Sequence, residues 1–314
     1  MEESTGSRHR ERWGLILAGG EGVRLRPLTR VIAGDERPKQ FCTFLGRETF
    51  FELTRRRADL AIPRGQTLAV LTHAHERFYR PLIAGMPHHC AVIQPEDRGT
   101  ATAIFYGLLR IAAIAPMASV AILPSDHYVS DDVLFMGHVA AAFSMVRARA
   151  DLVVLLGVAP ESAETQYGWI EPGESVPGTG LHRVNRFWEK PTLPVARTLL
   201  ERGCLWNSFV MVARITALLA LIRHALPILD AEFALAQPML GTTSEAAAVR
   251  TLYSSLTPRN FSEDILAAAP LNLAVLPMAG VQWSDWGTPE RIIATLDRLG
   301  VTPEWKASLA RASA

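Results

Sequence analysis

Arg24 and Arg26 stand directly behind a glycine cluster, Gly19-Gly20-Glu21-Gly22, near the start of the chain. Glycines let backbone N–H groups close on an anion, and guanidinium forks add charge-assisted hydrogen bonds. Phosphate is the group this combination suits. A glycine cluster alone reads as an ordinary strand-to-helix turn; the two arginines bring the phosphate reading level with it. Two common phosphate motifs are excluded by their spacing. No GxxxxGK[ST] occurs, so a P-loop is not present. A dinucleotide fingerprint fails because Leu25 stands where the third glycine belongs, and no acidic residue closes a clear second strand.

The elements that must carry this loop follow from hydropathy. Leu15–Ala18, Leu68–Leu71, Cys90–Ile93, Ser119–Leu123 and Leu152–Leu156 are short apolar runs, each the length of one buried strand. Helical stretches lie between them at Ala74–Ile83, Thr100–Ala115 and Asp132–Ala148. Alternation of this kind predicts a parallel α/β sheet covered on both faces, with ligands bound beyond the carboxyl ends of its strands. Beyond Ala159 the pattern changes. Strands are expected at Tyr167–Glu171, Arg183–Trp188 and Trp206–Val212, helices at Ile215–His224 and Glu245–Tyr253, and a last strand at Leu271–Leu276 before a closing helix from Pro289.

Composition narrows the class of partner. With 314 residues, 49% hydrophobic, and a net charge of +1, no global field recruits nucleic acid or an anionic membrane. Three cysteines without CxxC spacing argue against a disulfide framework and fit a cytoplasmic protein. The longest apolar run, Leu152–Ala159, is far short of the ~20 residues a membrane span needs. The first dozen residues read as a disordered tail.

Leu17-Ala18-Gly19-Gly20-Glu21-Gly22-Val23-Arg24-Leu25-Arg26-Pro27-Leu28-Thr29, followed by Arg37-Pro38-Lys39-Gln40-Phe41, resembles the sugar-1-phosphate nucleotidylyltransferase signature. Its Pro-Lys-Gln-Phe form is most similar to mannose-1-phosphate guanylyltransferases. Four further stretches come in family order: Leu123–His127, Phe187–Pro191, Trp206–Ser208 and Trp283–Gly287. The resemblance runs from Trp13 to about Leu299. It implies a Rossmann-like doubly wound mixed sheet with an inserted sugar-binding subregion, mainly within 160–260 of a catalytic domain spanning 13–299. A C-terminal helix over 300–314 completes the expected organisation.

In that family the phosphate of a sugar 1-phosphate attacks the α-phosphorus of a nucleoside triphosphate and pyrophosphate leaves. Joining two anions calls for positioning and charge neutralisation rather than a strong base. The resemblance implies that Leu17, Ala18, Gly19, Gly20, Gly22, Gly99 and Thr100 border the nucleotide. It puts Arg24 on the β- and γ-phosphates and Lys39 on the α-phosphate. Asp126 and Asp285 would hold Mg²⁺, which favours one or two carboxylates completed by phosphate and water. Lys190 would meet the sugar phosphate, with Gly168, Glu171, Glu189 and Asn207 around the sugar. Without the family pattern, a helix cap for Asp126, a turn role for Asp285, a strand-edge salt bridge for Glu189–Lys190 and a capping role for Asn207 are the plainer assignments. His127 is expected to be structural, and the motif tryptophans to pack in the core.

Three positions depart from the family pattern. Val23 replaces the usual Thr or Ser, Gly99 stands in place of Asn, and Phe209 replaces Gly. The last two fall near base and sugar, so substrate identity is less determined than reaction type. GDP-mannose synthesis from GTP and mannose 1-phosphate is the leading expectation. Uridylyl or thymidylyl transfer to glucose 1-phosphate and a non-catalytic NDP-sugar-binding relative are the alternatives. The expected partners are these small molecules, and a homodimer is compatible with the sequence.

Overall fold

The computed structural model describes residues 11–306. Most of the expected N-terminal tail therefore lies outside the described residues, and Arg12 already opens the first strand. Eleven strands are found among the described residues: β1 (Arg12–Leu17), β2 (Thr67–Thr72), β3 (Ala91–Gln94), β4 (Ser119–Pro124), β5 (Tyr128–Val129), β6 (Val153–Val158), β7 (Gly168–Val176), β8 (Leu181–Glu189), β9 (Leu205–Arg214), β10 (Leu273–Met278) and β11 (Trp283–Ser284).

Nine of them form one sheet in the order β3-β2-β1-β4-β9-β6-β10-β8-β7. The interior of β1 and all of β4 and β6 are buried, because helices cover both faces. Leu15, Leu68 and Val70 face the helices Gly99–Ile114 and Ile215–Ala225. Ile16, Ala69 and Leu71 face Phe50–Ala58 and Asp132–Ala148. Burying each such side chain is worth roughly 1.5–3 kcal/mol, so an apolar run that serves both faces is strongly committed to the sheet interior.

The sheet is mixed, as the resemblance implies, and the parallel arrangement read from hydropathy holds only for part of it. β3, β2, β1 and β4 are parallel, but β9 runs antiparallel to both β4 and β6. Buried runs look alike in either direction once both faces are covered, so hydropathy cannot reveal this reversal. Region 160–260 contributes β7, β8 and β9, and β9 lies within the main sheet. Its first residues also pair with β7, Trp206 opposite Trp169.

Four helices were not anticipated: Arg26–Ala33, Phe50–Ala58, Leu193–Glu201 and Pro227–Ala236. The second begins in a capping box in which Thr49 and Glu52 satisfy each other's backbone donors. The closing helix, Pro289–Leu299, ends at a left-handed Gly300, and helix resumes at residues 304–306. The remainder of the expected C-terminal helix lies outside the described residues. No helix among the described residues is long and apolar enough to cross a membrane.

Candidate active site

The glycine loop leaves β1 beyond the strand's carboxyl end. Thr72 Oγ1 donates to the Gly19 carbonyl at 3.0 Å, and Gln40 Nε2 donates to the carbonyls of Ala18 (3.0 Å) and Gly20 (2.8 Å). A Cβ on Gly19 would lie 2.6 Å from Gln94 Nε2, and Gly22 adopts a left-handed φ of 58°. With its carbonyls tied back, the loop leaves the N–H groups of Gly19, Gly20, Glu21 and Gly22 without acceptors among the described residues. Such a set of unanswered donors is an anion nest. Arg24 is exposed and has no ion pair among the described residues, whereas Arg26 is held by Glu21 at 2.6 Å. Glu21 also meets His75 Nε2 at 3.4 Å. Val23 is 58% exposed on this turn, and nothing in the structure explains it.

The two aspartates are brought together by a ribbon that sequence reasoning missed. β5 and β11 pair antiparallel, Tyr128 opposite Ser284 and Val129 opposite Trp283. Asp126 precedes β5 and Asp285 follows β11, so both emerge at the same end. Lys39 lies between them. Its Nζ is 3.1 Å from Asp126 Oδ2, donates to the Asp285 carbonyl, and reaches the Trp286 carbonyl at 3.3 Å. At 5% exposure the ammonium depends on these partners.

Asp285 Oδ1 accepts from Tyr167 Oη (3.0 Å), the Gly287 N–H (2.9 Å) and Arg291 Nη1 (2.8 Å). Burial acts to raise its pKa, but the charges of Lys39 and Arg291 outweigh burial and hold the carboxyl below its ordinary value. Arg291 also pairs with Glu164 at 2.7 Å and lies over the Tyr167 ring. Burial lowers the pKa of His127, whose ring packs edge-on against Trp283 at 5.1 Å.

The acidic pair fits a hard cation. Asp126 keeps 36% of its side chain exposed, and Asp285 Oδ2 accepts no hydrogen bond from the described residues. No cluster of three or more His, Cys, Asp or Glu suited to a metal occurs among the described residues. Mg²⁺ needs no such cluster, since phosphate oxygens and water complete its shell.

A cavity of about 230 Å³ lies between the glycine loop and Asp126, without Lys39 or Asp285 on its wall. Leu17, Gly20, Gly22, Gln40, Thr100, Asp126, His127 and Phe209 line it. Gly99 does not. Its N–H donates to Asp97 Oδ1 at 2.8 Å, and the position of its absent Cβ lies 2.2 Å from the Arg259 carbonyl oxygen. Thr100 lies within the first turn of the helix, which starts at Gly99 with Arg98 as the N-cap residue. The Thr100 hydroxyl accepts the Phe261 N–H at 2.9 Å.

Of the residues expected around the sugar, Gly168, Glu189 and Asn207 converge. A Cβ on Gly168 would lie 3.1 Å from Glu189 Oε2 and 3.3 Å from the Asn207 Cβ. Lys190, in left-handed backbone at φ 43°, pairs with Glu189 at 2.8 Å and remains half exposed. Asn207 is buried and its Oδ1 accepts the Phe209 N–H at 3.1 Å. Glu171 is not brought to this group. The β7–β8 register sets it on the opposite face from Gly168, where it pairs with Arg202. Alternation along a strand decides this, since residues 168 and 171 differ by an odd number. Trp206, Trp283 and Trp286 are buried as core residues; Trp286 stacks on Tyr128 and donates to Thr295.

Sequence reasoning missed Gln40, Thr72, Tyr167 and Arg291 as contributors. Gln40 had a signal, its place beside Lys39 in the same motif, Thr72 follows a predicted strand run, and Tyr167 adjoins Gly168. Arg291 had none, as its role depends on where the closing helix begins.

Comparison with known proteins adds lineage to this geometry. A family model described as nucleotidyl transferase matches residues 13–299. A mannose-1-phosphate guanylyltransferase from Sinorhizobium fredii is 33% identical over 289 residues, covering 87% of this chain and 52% of that protein. The xanthan biosynthesis protein XanB of Xanthomonas campestris is 32% identical over 215 residues, covering 68% of this chain and 44% of that protein. The chain thus spans about half the length of these curated relatives. A crystal structure titled mannose-1-phosphate geranyltransferase, from Thermus thermophilus, superposes with a TM-score of 0.77 at 27% identity, covering 90% of this chain and 79% of that one. An unanswered glycine loop, a lysine between two aspartates and a match over nearly the whole chain lead to one conclusion: this chain belongs to the nucleotidyl transferase family.

Proposed function

We propose that the protein transfers a nucleotidyl group from a nucleoside triphosphate to a sugar 1-phosphate, with GTP and mannose 1-phosphate as its substrates and GDP-mannose as its product. The observation that carries the reaction class is Lys39, buried between Asp126 and the Asp285 carbonyl, with Asp126 on the wall of a cavity that the glycine loop also lines. The names of the similar proteins favour mannose 1-phosphate.

In this reading the triphosphate lies along the free N–H groups of the glycine loop, and Arg24 answers the β- and γ-phosphates. Lys39 lies beside the α-phosphate. A phosphate oxygen of the sugar 1-phosphate forms a bond to the α-phosphorus, the bond from that phosphorus to the β-phosphate oxygen breaks, and pyrophosphate departs with the electron pair. Lys190 orients the sugar phosphate, while Glu189 and Asn207 face sugar hydroxyls. Asp126 and Asp285 would hold Mg²⁺, which supplies charge neutralisation to the phosphates when bound. Lys39 and Arg24 neutralise the approaching anions, and the tied-back loop is organised before substrate arrives.

The test is a matrix of nucleoside triphosphates against sugar 1-phosphates with Mg²⁺, read as pyrophosphate release. GTP with mannose 1-phosphate is expected to give the highest kcat/KM. Absence of release from every pair would overturn the reaction class; preference for UTP or dTTP with glucose 1-phosphate would overturn the substrates alone.

A further inference from the structure

Two departures from the family pattern, Gly99 and Phe209, meet on one segment. Arg259 and Phe261 pack against the start of the helix Gly99–Ile114. The Arg259 N–H donates to the Arg98 carbonyl at 3.1 Å, and the Ala101 N–H donates to the Arg259 carbonyl at 3.1 Å. Arg259 approaches so closely that no Cβ fits at residue 99. Phe261, fully buried, meets the Phe209 ring edge-on with centroids 6.3 Å apart.

Phe209 occupies an unusual backbone. β9 bulges here, with Ser208, Phe209 and Val210 opposite the single residue Leu156 of β6. Bulges re-aim side chains and are frequent beside active sites. Phe209 has φ 60°, a conformation that glycine accepts and a bulky residue rarely adopts. Side chains hold it there. Ser208 Oγ donates to the Leu156 carbonyl at 2.6 Å, and Asn207 Oδ1 and Ser208 Oγ accept the N–H groups of Phe209 and Val210. The ring is only partly buried and lines the cavity beside Leu17, Gly20 and Thr100.

We infer that Phe209 is a specificity-determining residue, its ring, backed by Phe261, forming an apolar wall for the nucleoside part of the triphosphate. An aromatic ring held in strained backbone and only partly covered offers a face to the cavity, and in the nucleotidyl-transfer reading the nucleoside is the less polar portion of a ligand whose phosphates lie on the glycine loop. The inference rests on the nucleotidyl-transfer reading for the identity of that ligand.

Phe209→Gly and Phe209→Leu in the full chain test it, by steady-state kinetics over the substrate matrix and by equilibrium binding of nucleoside triphosphates. Phe209→Gly is expected to raise KM for the preferred triphosphate about tenfold, the scale of losing one aromatic contact to a base. It should narrow the spread among triphosphates, leave KM for the sugar 1-phosphate within about twofold, and leave thermal stability equal or higher. Phe209→Leu should fall between. An unchanged triphosphate KM, or a rise confined to the sugar 1-phosphate, overturns the inference. If wild type turns over no pair, the functional reading fails separately. Nucleotide affinity then decides: a tenfold loss in Phe209→Gly upholds the wall, and an unchanged value overturns it.

Discussion

The two parts of the site, an acidic end and a glycine-loop end, are built by opposite means. At the acidic end protein groups already answer the charges: Lys39 lies between Asp126 and the Asp285 carbonyl, and Asp285 Oδ1 takes three donors. At the glycine loop the N–H groups and Arg24 face no partner among the described residues, while the loop carbonyls are tied back by Gln40 and Thr72 and Glu21 by Arg26 and His75. The contrast separates two duties. Groups that position are buried and paired, because a buried charge without a partner is costly. Groups that receive a ligand are left exposed and incomplete.

The largest effects should come from the paired end. Asp126→Asn and Asp285→Asn are each expected to lower kcat by about 10²–10³-fold, the scale of removing one group that stabilises developing charge. They should differ in stability. Asp126→Asn strips the buried Lys39 of its carboxylate partner and is expected to lose about 3 kcal/mol, whereas Asp285→Asn costs less because Arg291 keeps Glu164. Urea denaturation beside single-turnover rates checks both, and wild-type turnover in either variant would remove it from the metal assignment.

Arg24→Ala should show the reverse profile. KM for the triphosphate is expected to rise about tenfold with kcat nearly unchanged, as for loss of uniform binding. Stability should stay within about 0.5 kcal/mol, since the side chain supports no other group. A large stability loss would show that the loop end also positions, and the contrast would fail.

The smallest effect is in pH. Burial holds His127 and His75 below the ordinary histidine value, the latter against the pull of Glu21. The unfolded chain therefore binds protons before the folded one as pH falls through about 6.5, so stability declines below that point. Asp285 acts in the same direction at lower pH: its depressed pKa contributes stability above about pH 4, lost as pH falls toward the folded value. Urea midpoints between pH 5 and 8 should fall toward acid, and His75→Gln with His127→Gln should flatten the slope.

Much of this molecule is readable locally. The helices Asp132–Ala148 and Glu245–Tyr253 agree with their apolar spacing to the residue, and the buried runs around Leu15, Leu68 and Val120 are strands. The helix Phe50–Ala58 carried a local signal as well, its Thr49-x-x-Glu52 capping box, though not one read in advance. Glu171 and Glu189 show where such reading stops. Both are acidic residues in strand motifs, yet register sends one to Arg202 and the other to Asn207's side of the sheet.

Hydropathy period and motif order in the sequence by themselves determined the layered α/β architecture, the glycine loop and the residue types proposed to join two anions. Tertiary structure alone decided that β9 runs backward between β4 and β6, that a ribbon of two-residue strands joins Asp126 to Asp285, and that Arg291 and Tyr167 orient the second aspartate. The reason is physical. Periodicity records how a segment meets water and core, and two residues are too few to have a period. Direction, register and the meeting of residues more than a hundred positions apart are chosen only when the whole chain packs.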